Sequence, residues 1–307
     1  MFDIKRLILF NAITSIHIGS GSKLGVVDQP VQREVHTNFP IFPSSSIKGG
    51  FREEVEGPKT EERLKHANII FGSDEGGNRS TPGNITFTDA KILFLPVKSL
   101  FGVFAWITSP LVLTRFKEDL KILGTNEFCD FNYEKDKVIK DNKFLTIKDN
   151  TLSKNSKKDN SLSKDSKITL EDFTFETDNT EGLNNLLNLI SGIFSEDEFK
   201  EKFRKDVVIV NDEVFKYFIE NSLEFLPRIR IGEGETASGK GGNIWYEENI
   251  PSYTIFYSLV MYNNKEVKIN DEIIKTCNLI NSYINSGYLQ LGGNQTIGRG
   301  ILKYKVF

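Results

Sequence analysis

Cysteine, histidine and long apolar runs are all scarce in this 307-residue chain, and each shortage removes a class of protein. The two cysteines, Cys129 and Cys277, stand far apart and outside any C-x-x-C, so they offer neither a disulfide framework nor a zinc site. His17, His36 and His66 are the only histidines and are equally scattered, which leaves a structural metal cage without ligands at the usual spacing. No apolar run approaches the roughly 20 residues of a membrane span. The N-terminal MFDIKRLILFNAITSIHIG interrupts its apolar residues with Asn11, Thr14 and Ser15 and has no small-residue cleavage site, the pattern expected of a mature cytoplasmic chain. Neither G-x-G-x-x-G nor G-x-x-x-x-G-K-[ST] occurs, so dinucleotide and P-loop readings fail on spacing. Net positive charge is lacking too. With 39 Lys+Arg against 42 Asp+Glu the formal charge is -3, which excludes a protein that coats nucleic acid with its whole surface.

What is present describes an α+β chain. Phe2 to about Ile18 has the apolar and β-branched content of a long strand and ends in Gly19-Ser20-Gly21. A Pro-punctuated stretch follows. Pro30, Pro40 and Pro43 each push the preceding residue toward extended geometry, so a helix begins only after Pro43. Ser44, Ser45 and Ser46 are natural N-caps, and Ile47, Phe51 and Val55 recur every four residues behind them. NITFTDAKILFLPV (84–97) reads as two strands, and LFGVFAWITSPLVL continues the sheet character. GLNNLLNLISGIF and NDEVFKYFIENS have helical periodicity around a short strand, VVIV. NDEIIKTCNLINSYINSG predicts one helix capped by Asn270, with Ile273, Cys277, Ile280 and Ile284 on one face and Gly287 as its stop. Strand-like EFLPRIRIG, NIWYEE and SYTIFYSLVMY precede it; YLQLGG and RGILKYKVF follow. Without strict βαβ alternation, this mixture points to helices on one face of a largely antiparallel sheet.

The composition shifts to Lys, Asp, Asn and Ser over 132–182, where DNTLSKNSK (149–157) is nearly repeated as DNSLSKDSK (159–167). So few apolar residues predict a mobile, solvated insertion, with 1–131 and 183–307 forming the folded domain.

Three segments carry candidate chemistry. The first combines the Gly-Ser loop, Asp28, the neighbouring pair Arg33-Glu34, and the serine-capped helix with Lys48 and Arg52; a helix N-terminus beside cations suits phosphate. The second, 228–251, reads as a hairpin with a Gly/Glu/Ser/Lys tip, cations at Arg228, Arg230 and Lys240, stacking faces at Trp245 and Tyr246, and carboxylates at Glu247 and Glu248. The third is the glycine cluster Gly292–Gly300, in which Arg299 and backbone N–H groups can approach a phosphate chain. Each has a plain alternative: a turn-forming aspartate, a surface hairpin whose aromatics cover the core, and a tight turn between strands.

Together, IHIGSGSKLGVVDQPVQREVHTNFPIFPSSSIKGGFRE, IWYEE and LGGNQTIGRGIL resemble the RAMP superfamily of CRISPR-associated RNA-binding proteins, in particular the repeated backbone subunit of type III-B (Cmr) RNA-guided effectors. The type III-A backbone group is similar around the glycine loop, the aspartate and the helix start, but REVHTNFP favours III-B. The resemblance implies a ferredoxin-like, RRM-type palm with an inserted β-hairpin thumb at 228–251. It also implies partners: guide CRISPR RNA, single-stranded target RNA, further copies in a helical filament, and other type III-B subunits. Ser44, Ser45, Ser46, Lys48 and Arg52 would hold guide phosphates, supported by Gly293, Gly298, Arg299 and Gly300, while Arg228, Arg230, Lys240 and Trp245 would serve the thumb. The family's endoribonuclease activity is metal-dependent attack by the RNA 2′-OH, which places Asp28 at the catalytic centre as a weak ligand of Mg²⁺ or Mn²⁺ or as a positioning group. His17, Tyr246 and Glu247 are secondary catalytic candidates, and a non-catalytic RNA-binding filament subunit is the alternative.

Overall fold

The computed structural model describes residues 2–21, 27–74, 80–124, 128, 130–140, 143–152, 166–232, 242–270 and 272–307. The chain forms two compact units: Met1–Lys91, Leu223–Ser252 and Tyr257–Phe307 make the first, and Ile92–Ser222 with Tyr253–Phe256 the second.

In the first unit Ile4–Ala12 lies between Ile301–Val306 and Ile255–Tyr262, and Ser286–Gln290 extends the sheet beyond Ile301–Val306. The pairing of Ile4–Ala12 with Ile301–Val306 is antiparallel, with Ile8 opposite Val306 and Ala12 opposite Leu302. Leu7, Ile8, Leu9 and Phe10 are all fully buried, so both faces of this strand are covered, which is why its sequence is a continuous apolar run without alternation. The helix Ser44–Glu56 supplies part of that cover through Ile47, Phe51 and Val55. Phe51 stacks on Phe87 at 5.1 Å and meets the Tyr304 ring edge-on at 4.9 Å. Truncating such a ring costs about 3–5 kcal/mol. The Glu224–Arg230 and Asn243–Asn249 strands form an antiparallel hairpin of their own.

In the second unit the strand run ends Phe104–Thr108, Val207–Ile209, Phe144–Thr146, Phe173–Asn179, Ser166–Leu170. Two of these pairings are parallel, so the sheet is mixed. Trp106 is fully buried against Phe203 and Phe194, and the fully buried Asp206 takes the Lys202 ammonium at 2.7 Å.

Several sequence expectations are corrected by the structure. The expected helix of 270–287 is three elements: Glu272–Lys275 pairs with Glu266–Ile269, the helix is only Thr276–Tyr283, and Gly287 lies in the Ser286–Gln290 strand. Asn270 adopts φ 46° in the turn between the paired strands, so it closes a hairpin instead of capping a helix. Ile273 is accordingly exposed, while Cys277, Ile280 and Ile284 are buried as expected. The sheet character assigned to LFGVFAWITSPLVL stops at Thr108; the Ser109 side chain accepts the Val112 N–H, and Pro110 opens the helix Pro110–Leu120. No serine caps Ser44–Glu56. The cap position falls on Pro43, and the Ser44 N–H donates to Asp89 Oδ1 at 2.7 Å. Within 132–182, Lys135–Lys140, Phe144–Thr146, Ser166–Leu170 and Phe173–Asn179 are regular elements, and Phe144, Leu145, Leu152, Ile168 and Leu170 are buried. Short β-branched and aromatic clusters at the segment's two ends are enough to join a sheet whose other strands already exist. Most of the repeat lies outside the described residues.

Candidate nucleic-acid interface and its acidic centre

Residues 27–33 run beside the inner end of the hairpin, all within the first unit. Gln29 forms a parallel bridge with Glu247: its N–H donates to the Tyr246 carbonyl at 3.2 Å, and its carbonyl accepts the Glu248 N–H at 3.1 Å. The Tyr246 N–H donates in turn to Asp28 Oδ2 at 2.8 Å, so Asp28 is half-buried with one oxygen fixed by backbone. On the opposite flank, the Ser20 N–H donates to the Pro30 carbonyl at 2.9 Å and Gln32 N–H to the Ile18 carbonyl at 2.8 Å.

His17 joins the same cluster. Its Nδ1 lies 2.8 Å from the Glu248 carbonyl, and since a carbonyl only accepts, Nδ1 carries a proton. Glycines enclose the residue: a Cβ on Gly19 would fall 2.8 Å from His17 Nε2, and one on Gly292 would fall 2.3 Å from the His17 carbonyl oxygen.

The two glutamates differ from Asp28 in having their oxygens occupied. Glu247 is 3% exposed; Oε1 accepts the Trp245 indole N–H at 3.0 Å, and Oε2 accepts from Asn294 Nδ2 at 3.1 Å with Arg228 Nε 3.6 Å away. Glu248 is 4% exposed; Oε2 accepts the Val31 N–H at 2.9 Å, and Oε1 is paired with the Arg33 guanidinium. Arg33 therefore does not serve its sequence neighbour Glu34, which instead takes the Thr37 hydroxyl.

Among the basic candidates, Arg52 spends Nε on Glu56 at 2.7 Å, Nη1 on the Gly72 carbonyl at 2.9 Å and Nη2 on Asn68 at 2.9 Å. It ties the helix Ser44–Glu56 to the helix Glu61–Phe71 and its end. Lys48 is half-exposed and has no hydrogen-bond or ion-pair partner among the described residues. Ser45 is exposed; Ser44 and Ser46 are half-buried. Arg299 is held by the Ser15 hydroxyl and by Glu224 at 3.4 Å. Gly293 and Gly298 are exposed, whereas Gly300 is buried with φ 77°, its Cβ position 2.0 Å from the Leu291 carbonyl oxygen. In the hairpin Arg228 lies opposite Trp245 on the face of Glu247, and Tyr246 lies on the other, with Ile244 and Ile229 exposed beside it. Arg230 is exposed at the outer end, and Lys240 lies outside the described residues.

Asp28, His17, Tyr246, Glu247, Arg228, Trp245, Gly293 and the Arg299 loop thus belong to one connected cluster of contacts; Arg52 is committed elsewhere. Sequence reasoning missed Asn294, Ser15 and Glu224, and gave Arg33 the wrong partner. One signal was available: an Asn in a glycine loop is a frequent left-handed residue, and Asn294 has φ 64°.

Among the described residues no group of three or more His, Cys, Asp and Glu side chains has the arrangement to hold a metal ion. Glu247 and Glu248 each face hydrogen-bond donors with both oxygens. Asp28 Oδ1 has no hydrogen-bond partner among the described residues, and one such oxygen fits a loosely held, largely hydrated divalent ion and no tighter site. No helix among the described residues is long and apolar enough to cross a membrane.

The family model of the RAMP superfamily matches residues 9–303. The chain belongs to the RAMP superfamily. A curated superfamily relative, the CRISPR system Cmr endoribonuclease Cmr4 of Pyrococcus furiosus, is 37% identical over 293 residues, which is 95% of this chain and 92% of the relative. The crystal structure of oligomeric Cmr4 from the same organism superposes with a TM-score of 0.67 at 30% identity, covering 99% of this chain and 98% of that one. A chain of the type III-B Cmr-beta complex bound to cognate target RNA gives 0.72 at 22% identity over 99% and 98%, a likeness of fold. The mixed α+β architecture is therefore that of solved RAMP proteins.

Proposed function

We propose that this chain is an endoribonuclease and the repeated backbone subunit of a type III-B RNA-guided effector, binding guide RNA and cleaving complementary target RNA at regular intervals. The observation that carries this reading is the convergence of Asp28 and His17 on the inner end of a hairpin that bears Arg228 and Trp245. The likeness to a relative named as an endoribonuclease supports it. The first unit's sheet and helices are read as the ferredoxin-like palm, and the Glu224–Asn249 hairpin as the thumb. Copies associate along the guide, other type III-B subunits complete the complex, and the work is done in the cytoplasm.

The chemistry follows from what each group has free. In a regular A-form duplex the 2′-OH is not in line with its neighbouring phosphate, so a residue must be displaced before attack; the thumb, with Trp245 and Tyr246 as flat faces, performs that displacement. Attack of the 2′-oxygen on phosphorus breaks the P–O5′ bond and leaves a 2′,3′-cyclic phosphate and a 5′-hydroxyl. Asp28, anchored through Oδ2, presents Oδ1 to orient the attacking hydroxyl; the neutral form of His17 would take its proton at Nε2, and solvent water protonates the departing 5′-oxygen. Asp28 Oδ1 would be the protein ligand of a divalent cation, which would supply charge stabilisation of the phosphate. Lys48 and the exposed Ser45 are assigned to guide phosphates; the N–H groups of Ser46, Gly293, Gly298, Arg299 and Gly300 already donate to carbonyls of the chain, so the glycine loop contributes close approach only, and recognition follows backbone and shape with little base preference.

The test is Asp28→Ala in the reconstituted complex. Target cleavage is lost while guide assembly and target binding persist. Cleavage surviving at every position would transfer the activity to another component and make this chain a structural filament subunit.

A further inference from the structure

The mechanism above gives the buried Glu248 carboxylate no role. We infer that Glu248 is a positioning residue that sets the location of Asp28; the inference rests on the reading of Asp28 as the catalytic centre.

Glu248 contacts both His17 and the strand that carries Asp28. Its backbone carbonyl accepts the His17 Nδ1–H at 2.8 Å, and its backbone N–H donates to the Gln29 carbonyl at 3.1 Å. Its carboxylate reaches across to the chain just beyond Asp28, accepting the Val31 N–H at 2.9 Å and binding Arg33. Asp28 itself is tied to the hairpin through the Tyr246 N–H. Pro30 has no N–H, so the Val31 amide is the first backbone donor after Gln29 that can anchor the strand. Removing its acceptor takes away the side-chain tie on the C-terminal side of Asp28, leaving the backbone bonds of Gln29, Pro30 and Gln32 to hold the strand. Displacements near 1 Å at a reacting group cost on the order of 100-fold in rate.

Arg33 complicates a simple deletion, because its guanidinium side chain is only 15% exposed and would be left unpaired. Two double variants remove that complication. Arg33→Met/Glu248→Gln keeps an oxygen acceptor for the Val31 N–H, whereas Arg33→Met/Glu248→Ala does not. In the complex reconstituted with guide RNA, single-turnover cleavage of a bound target by the alanine pair is expected to fall at least about 10-fold below the glutamine pair, a second-layer effect of ordinary size. Target affinity should stay within about threefold in both. A role in stability alone would leave the bound-state cleavage rate unchanged, so equal rates overturn the inference. A fall in affinity with an unchanged rate overturns it as well. Should the alanine pair fail to assemble, Glu248→Asp keeps the charge but draws the acceptors back by one methylene; the same loss of rate is expected, and a wild-type rate refutes the proposal. Asp28→Ala run in parallel separates the two readings: cleavage surviving in that variant sinks the catalytic assignment of Asp28 itself, whatever the Glu248 variants do.

Discussion

Glu247→Gln is the sharpest test of what the acidic centre is made of. The substitution preserves shape and removes only a charge and one acceptor. In the native arrangement Oε1 faces the Trp245 indole N–H at 3.0 Å and Oε2 faces Asn294 Nδ2 at 3.1 Å, with Arg228 beyond it. An amide can satisfy only one side. With its NH₂ toward Trp245 it sets donor against donor and strands a buried indole N–H, which costs about 1–3 kcal/mol. The bonds that remain lose a charged acceptor, adding about 1 kcal/mol. The expected destabilisation is therefore about 3 kcal/mol. Asn294→Asp alone sets two carboxylates together and should cost a similar amount, about 2–3 kcal/mol. Combined, the two changes exchange donor and acceptor and restore the pair, so the double variant should be at least about 2 kcal/mol more stable than additivity allows. Urea unfolding followed through Trp245, with Trp106→Phe as background so that the signal reports this hairpin, measures the cycle. Additivity within about 0.5 kcal/mol refutes the reasoning. The same variants address catalysis: if Glu247 is a strut, the double variant regains target cleavage along with stability, and if Glu247 takes part in the chemistry it stays inactive.

Other substitutions have outcomes set by the same geometry. Arg52→Ala should destabilise the protein by about 2–3 kcal/mol, because its three nitrogens brace two helices, yet leave guide affinity in the assembled complex within about threefold, as a filter-binding titration would show. Gly300→Ala forces a left-handed residue and a Cβ onto the Leu291 carbonyl, so it should cost more than about 2 kcal/mol in chemical denaturation; a loss under about 0.5 kcal/mol would mean the loop is not closed as described. Burial, reinforced by the Glu54 charge, pushes the Tyr304 hydroxyl up to about 12. A raised folded-state pKa means that the folded form holds the proton more tightly, so stability is intact below about pH 10 and declines as pH rises toward 12, by about 2–3 kcal/mol in all. Tyr304→Phe should remove that share of the alkaline slope, and an unchanged slope between pH 10 and 12 would argue against the burial of this hydroxyl.

Central strands and their covering helix were legible in the sequence because apolar residues alone specify them. Leu7–Phe10 is apolar without alternation and is covered on both faces; Ile47, Phe51 and Val55 repeat every four residues and form one buried stripe. Asp28 and the hairpin were legible through the family's motifs. What the sequence did not disclose were pairings between distant polar groups. Ser44–Ser46 offered three local caps, but Asp89, 45 residues from Ser44, supplies the acceptor, and no local rule weighs a side chain that the fold brings in from elsewhere. The run 270–287 fails for a related reason. Its periodicity suits a helix over Thr276–Tyr283, but Glu272–Lys275 finds a strand partner in Glu266–Ile269 just upstream, and that pairing overrides the helical preference.

Charge was the property least readable from the sequence, in both directions. Summed over the chain it argues against a nucleic-acid binder; grouped by segment, the arginines seem to line a phosphate groove. Neither view anticipates that those arginines arrive already paired: Arg52 with Glu56, Arg228 with Glu247, Arg299 with Glu224 and Arg33 with Glu248. Each pair satisfies a carboxylate that would otherwise repel a phosphate, and each fixes a guanidinium whose own motion would otherwise have to be frozen on binding. Lys48 and Arg230, without ion-pair partners among the described residues, carry the exchangeable positive charge, while the paired arginines supply shape. Each of these four pairs cancels in the sum over the chain, so a formal charge of -3 carries no information about the charge that any one face presents.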